Sequence, residues 1–334
     1  MTLRLAIVGC GLMTRQTHLP AAMRCNALQV TALVDPDQES AIELATRYQV
    51  GHVGCSLADV ADHADAALIV TPPHVRVAVV AEAFAHGLHV LSEKPLANTV
   101  AECEAMLELA AQHPALVAAG AHVYRFWPSR RWIHDGLRDG SLGRPLRAFM
   151  SQGNPYSWKS VSGYSVLRNL VPGGVLINAG IHPLDSLLWW FGDPERIHYL
   201  DDAIGGLESN ADIRLGFPEG PDVHMRMSRT SRFKHVIEIE TTTCRLELPT
   251  YSRHRVDLIR DGKREAVVVG DENEDALVPT VALLEDFVRA IGSATPPEVD
   301  FSEATRAVRL VEACYRIKQA RPLPAVAPLP GAVW

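Results

Sequence analysis

Three groups of residues in this chain have the types and spacing for chemistry. The first is Gly9-Cys10-Gly11, directly after an apolar run and before a helical pattern. Exposed backbone N–H groups at a positive helix N-terminus hold a pyrophosphate, and glycines let the chain come close to it. The third fingerprint position is Thr14 instead of Gly or Ala, and a purely structural turn explains so short a motif equally well. Asp35 closes the next apolar run, where a carboxylate accepts from both ribose hydroxyls of a dinucleotide. Pro36 follows it, not Arg, so nothing is positioned to meet a 2′-phosphate and NAD is expected over NADP. The competing reading is that Asp35 caps a helix beginning at Asp37.

The second group, Glu93-Lys94-Pro95, ends the apolar run 89–91. In a doubly wound sheet that is the carboxyl edge, where ligands bind. A lysine at a strand end is otherwise a solvated charge. The third group lies in segment 173–185. Wound as a helix, Ile177, Ile181, Leu184 and Leu188 make an apolar stripe, with Asn178, His182 and Asp185 in a polar row beside it. Imidazole titrates near neutral pH and can accept a proton, although a histidine beside such a stripe is also commonly a hydrogen-bonded core residue. Pro183 marks a break or a helix start inside the segment.

The elements around these residues divide the chain into domains at 1–121 and 122–334. In the first, apolar runs at 3–8, 28–34, 66–70, 89–91 and 115–119 alternate with helical patterns at 16–24, 38–48, 56–63, 75–86 and 99–113. That alternation predicts an α/β fold, a doubly wound parallel sheet covered on both faces. Ser56 with Asp59 and Thr99 with Glu102 fit capping boxes, and Gly87 sits where a C′ glycine belongs. The second domain is also α/β. It has strand patterns at 146–151, 211–217, 223–228, 235–240, 245–248 and 256–259, several of which alternate polar with apolar. They predict a large, mostly antiparallel open sheet with one wet face. Helices are expected at 129–138, 174–191, 280–291 and 302–319, before a Pro-rich tail at 322–330.

The chain has 334 residues, a net charge of −7 and 47% apolar residues. The length suits two domains, and the composition excludes a disordered or fibrous chain. Without a basic block, nucleic acid is not an expected partner. Without a run of about 18 apolar residues, no membrane span is expected. The N-terminal run leads into glycines with no cleavage site, which predicts a cytoplasmic protein. Six scattered cysteines lack metal or disulfide spacing. No metal is expected, and the thiols read as small buried apolar groups.

Together with His18-Leu19-Pro20, Thr71-Pro72-Pro73, Arg125-Phe126-Trp127-Pro128 and the glycines at 140 and 143, these motifs resemble a known family over nearly the whole chain. It is the glucose–fructose oxidoreductase/inositol dehydrogenase (Gfo/Idh/MocA) group of NAD(P)-dependent sugar and cyclitol dehydrogenases. Glu-Lys-Pro together with Gly-Gly…His…Asp carries most of the specificity. The resemblance implies a Rossmann domain and an α/β domain whose open sheet joins copies into a homodimer or homotetramer. It implies NAD, with NADP as the alternative, contacted by Gly9, Gly11, Leu12, Met13, Asp35, Thr71, Pro72, His74, Glu93 and Lys94. A sugar or cyclitol substrate would meet Lys94, Arg125, Trp158, Tyr164, Arg168, Asn178 and His182. Aromatics such as Trp127, Tyr156 and Trp158 serve equally well as core or interface residues. Moving a hydride from a secondary alcohol leaves a proton to remove. His182 is the expected base, Lys94 the donor to the same oxygen, and Asn178 an orienting group where many relatives carry Asp. The rival readings are a non-catalytic NAD-binding sensor of the same fold and a diol or anhydrosugar dehydrogenase. Lys94 and His182 are both present, which favours an enzyme over a sensor.

Overall fold

A computed structural model of the chain describes residues 2–155, 163–293 and 295–320. They form two compact units. The first holds residues 2–126, 163–164, 274–293 and 295–309, and the second holds 127–155, 165–273 and 310–320.

In the first unit, β1 (Leu3–Val8), β2 (Leu28–Val34), β3 (His52–Gly54), β4 (Ala66–Ile69), β5 (His89–Glu93) and β6 (Ala118–Ala121) make one sheet, ordered β3-β2-β1-β4-β5-β6. Every pairing is parallel. The strand order reverses between β1 and β4, which creates a ligand crevice outside the carboxyl ends of the strands. All four residues of β4 are buried, as two covered faces require. Helices α1 (Leu19–Ala22), α2 (Gln38–Tyr48), α3 (Pro73–Ala85) and α4 (Val100–Gln112) connect the strands. The Thr99–Glu102 box opens α4, and Gly87, at φ +72°, follows α3. The Ser56–Asp59 box also forms, but it opens only 3₁₀ turns at Leu57–Asp59 and Ala61–His63. The helix expected over 56–63 is absent because Val60, at φ −132°, separates the two turns.

In the second unit, α5 (Pro128–Arg138) precedes β7 (Pro145–Gly153), and α6 (Ile181–Phe191) precedes a run of seven strands. These are β8 (Arg196–Asp201), β9 (Asn210–Gly216), β10 (Asp222–Ser228), β11 (Val236–Thr241), β12 (Arg245–Leu248), β13 (Arg255–Arg260) and β14 (Lys263–Val268). With β15 (Gln319–Ala320) they form a sheet ordered β14-β13-β12-β11-β7-β10-β9-β8-β15. Only the β7–β10 and β8–β15 pairings are parallel. Ile213, Leu215, Ile237 and Ile239 are buried while Arg214 is exposed and Glu238 and Glu240 are partly so, the alternation of a sheet with one wet face.

Helices α7 (Val278–Ser293) and α8 (Phe301–Ile317) close the fold. Leu283, Leu284 and Phe287 of α7 join the buried cluster that contains Leu5, Ile7 and Leu33. The first unit therefore includes a segment far beyond residue 121. Sequence order alone does not reveal such a return.

Five cysteines are buried, but Cys55 is exposed and accepts from Gln38 Nε2 at 2.8 Å. Among the described residues no helix is long and apolar enough to cross a membrane.

Candidate active-site elements

The nucleotide loop is built at the end of β1. Gly9 has φ +98°, a conformation that side chains disfavour. A Cβ there would lie 3.0 Å from the Val70 carbonyl and 3.1 Å from Thr71 N. Glycine thus lets the loop pass the end of β4. A Cβ on Gly11 would meet nothing within 4 Å, so the loop is open at that residue. A helical run follows from Leu12 to Ala22, π-wound over Thr14–His18. Its first N–H groups have no partners within the helix, and its dipole favours an anion. Thr14 is fully buried and its hydroxyl donates to Gly9 O, which closes the loop without the third glycine.

Asp35 Oδ2 accepts from Cys10 N at 2.7 Å, and Oδ1 accepts from Asp37 N at 2.9 Å. The cap of α2 is Asp37, bonded to Ser40. Asp35 is therefore no helix cap; it braces the loop. Thr71 Oγ1 is buried with no hydrogen-bond partner among the described residues. Open backbone donors, this orphan hydroxyl and a half-buried carboxylate fit a dinucleotide. A cation contacts the same loop residue that Asp35 braces. Arg15 Nε donates to Cys10 O at 3.0 Å, and its Nη1 pairs with Glu43 at 2.5 Å. Arg15 escaped the sequence reading because it lies outside the strand that Asp35 ends.

Lys94 follows β5 and is half-buried. The carboxylate before it, Glu93, is only 7% exposed. Glu93 Oε1 bonds His18 Nε2 at 2.7 Å, and Oε2 accepts from Lys94 N at 2.8 Å. Burial works to raise this carboxyl; the His18 bond and the charges of His18, Lys94 and Arg76 override it and hold it at about 2. Glu93, expected to touch the cofactor, ties the Lys94 backbone to the helix that starts at the nucleotide loop. Arg76, buried on α3, donates to the carbonyls of Thr71, Glu93 and Pro95. It binds the ends of β4 and β5 together, and burial lowers its guanidinium to about 10. His74 and Tyr164 have ring centroids 6.4 Å apart. Arg125, expected to meet substrate, is buried and donates twice to Glu303 Oε2, at 3.2 Å each.

The second unit carries Asn178 and His182 on one helical run, 175–191, π-wound over Leu176–Gly180 before α6. Pro183 lies in the first turn of α6, just after the winding changes from π to α, which is the helix start expected near it. The wide turn just ahead of it relieves the clash between a proline ring and the carbonyl four residues back. Ile177, Ile181, Leu184 and Leu188 are buried as the expected stripe. Asn178 and His182 are half-buried, while Asp185 is 1% exposed and turns inward.

The double glycine has a packing cause. A Cβ on Gly173 would fall 1.9 Å from the Tyr315 hydroxyl, and one on Gly174 would fall 2.0 Å from Glu208 O. Buried Glu208 accepts from Gly174 N at 2.6 Å and Leu176 N at 2.9 Å, and the Tyr315 hydroxyl donates to it at 2.8 Å. Ile177 N in turn donates to Tyr315 Oη at 3.2 Å. A buried carboxylate therefore caps the helix that bears His182. Burial pushes Glu208 upward against the pull of these donors. Arg168 is exposed and donates to Gly205 O at 2.6 Å. Trp158 and Tyr156 lie outside the described residues.

Glu208→Ala orphans two backbone N–H groups and a tyrosine hydroxyl. It should lower unfolding stability by about 3 kcal/mol or more in denaturant titration, at about 1–3 kcal/mol per unpaired group. A raised folded pKa means that the Glu208 contribution is largest below the ordinary carboxylate range and is lost as pH rises through the raised value. Glu208→Gln should flatten that slope.

Residues 3–121 match the family described as "Oxidoreductase family, NAD-binding Rossmann fold", and residues 131–247 match the "GFO/IDH/MocA C-terminal domain". The rhizopine catabolism protein MocA of Rhizobium meliloti is 26% identical over 94% of this chain and 94% of its own length. The scyllo-inositol 2-dehydrogenase (NADP(+)) IolU of Bacillus subtilis is 25% identical over 80% of this chain and 83% of its own. The crystal structure of aldose-aldose oxidoreductase from Caulobacter crescentus, complexed with glycerol, superposes with a TM-score of 0.85 at 21% identity. It covers 95% of this chain and 97% of that one.

Proposed function

The chain belongs to the Gfo/Idh/MocA family of NAD-binding oxidoreductases, and on that premise we propose that it moves a hydride between nicotinamide and a secondary alcohol or ketone of a sugar, cyclitol or related polyol. One observation carries this reading: buried Glu93 joins the backbone N–H of Lys94 to His18, and so fixes the end of β5 against the helix that opens at the nucleotide loop.

When bound, the nicotinamide accepts or supplies the hydride. The backbone at Gly9–Met13 holds the pyrophosphate, and Asp35 accepts from the ribose hydroxyls. Lys94 donates to the substrate oxygen and stabilises alkoxide character. His182 takes the hydroxyl proton in oxidation and returns it in reduction. Asn178 orients the ring without offsetting its charge. Thr71, Pro72 and His74 complete the cofactor contacts, and Tyr164 and Arg168 contact substrate.

Asp35 should set the choice of NAD over NADP. Asp35→Ser loses a charged acceptor, and the preference should fall by about 1–3 kcal/mol. Titrating both cofactors against intrinsic fluorescence measures it. Equal dissociation constants in the parent protein would remove this role.

Copies of the chain pair through the wet face of the second unit's sheet. A cavity of about 450 Å³ opens there, lined by Phe149, Ile197 and Val223 among charged residues such as Arg147, Arg196 and Glu240. A solution mass equal to one chain at micromolar concentration would contradict the pairing.

A further inference from the structure

One arginine, Arg15, joins the nucleotide loop to an acidic face of α2. Asp37, Ser40 and Glu43 lie at the start of α2, at spacings that share one face. Arg15 spans from the loop to that face. Its Nε donates to Cys10 O at 3.0 Å, Nη2 to Ser40 O at 3.4 Å, and Nη1 pairs with Glu43 Oε2 at 2.5 Å. The N–H of the same Cys10 is bonded to Asp35 Oδ2 at 2.7 Å. Arg15 and Asp35 thus bond the same loop residue, one at its C=O and the other at its N–H. A phosphate at the ribose 2′ position would meet Asp35 and Asp37 as repulsive groups and Arg15 as the attractive one. Arg15 is also the type of side chain that grips phosphate with a planar fork.

We propose that Glu43 is a specificity-determining residue: by pairing with Arg15 it withholds that guanidinium from the 2′-phosphate of NADP. Asp35 then disfavours the phosphate directly, and Glu43 removes its remaining partner. The inference rests on the assignment of Asp35 to the ribose. It adds a second determinant, which lies on α2 and not on the loop or the strand end. Replacing Glu43 removes the carboxylate partner of Arg15 and frees Nη1 for the added phosphate, while leaving the Asp35–Cys10 bond and the Arg15 bonds to Cys10 O and Ser40 O in place.

The test is direct binding of NAD and NADP, read by fluorescence or calorimetry, in the parent, Glu43→Gln, Arg15→Ala and the double variant. Glu43→Gln should tighten NADP on the order of tenfold relative to NAD, the scale of one charge-assisted phosphate contact. The gain should vanish in the double variant, and Arg15→Ala alone should show none. An unchanged NADP-to-NAD ratio in Glu43→Gln would overturn the proposal, as would a gain that survives removal of Arg15. If the parent protein binds neither cofactor, the reading of the loop itself fails, and this proposal falls with it.

Discussion

His182→Ala should lower the rate of alcohol oxidation on the order of 10²–10⁴-fold, the usual contribution of a positioned general base. The pH profile identifies the cause. A base must be unprotonated to take the hydroxyl proton, so oxidation by the parent rises with pH through the imidazole pKa of the enzyme–substrate complex. His182→Ala removes that limb. Glu93 cannot supply it, because the carboxyl held at about 2 stays ionised throughout any practical assay range. Asn178→Asp then reports on the ring. It places a carboxylate four residues before His182 on the same helical run, which stabilises the imidazolium and moves the limb to higher pH. A limb that persists in His182→Ala would assign the proton to another group. A limb unmoved in Asn178→Asp would separate residue 178 from the ring.

Lys94→Ala should reduce turnover by about 10²–10³-fold, the scale for one donor aimed at developing negative charge. NAD affinity should stay within about tenfold, because the loop backbone and Asp35 do not depend on the ammonium. Lys94→Arg should rescue little, since a planar fork does not reproduce a compact point charge. Binding and rate together separate two roles. Near-parental turnover in Lys94→Ala would make the Glu-Lys-Pro element structural, whereas a parallel loss of NAD binding would make Lys94 a cofactor anchor.

Much of this organisation was legible because its signals are local. Near-continuous apolar runs marked β1, β2, β4 and β5, and the two capping boxes form as expected, although only Thr99–Glu102 opens an α-helix. Strands β3, β8 and β14 went unread: β3 has only three residues, and the side chains of β14 are largely exposed. The stripe from Ile177 to Leu188 packs inward and Pro183 marks the start of α6, but local rules do not anticipate the π turn ahead of it. Several of the bonds that hold the site residues in place are long-range. His18 reaches Glu93 across 75 positions, and Glu208 meets Gly174 across 34. Tyr315 explains Gly173 only once the chain is folded. Arg15 is similar, because its partner Glu43 lies on another helix. Residue types and spacing announce the groups that do chemistry, whereas the groups that position them are chosen by tertiary proximity.

Hydride transfer itself is tested most directly by following nicotinamide absorbance when the purified protein is mixed with NAD⁺ and, one at a time, a panel of cyclitols and aldoses. The corresponding ketones are then run with NADH. At least one polyol should reduce NAD⁺ in a protein-dependent reaction, and Lys94→Ala and His182→Ala should each suppress it. Tight NAD binding with no turnover in either direction, across the whole panel and with both cofactors, would contradict an oxidoreductase and favour a nucleotide sensor.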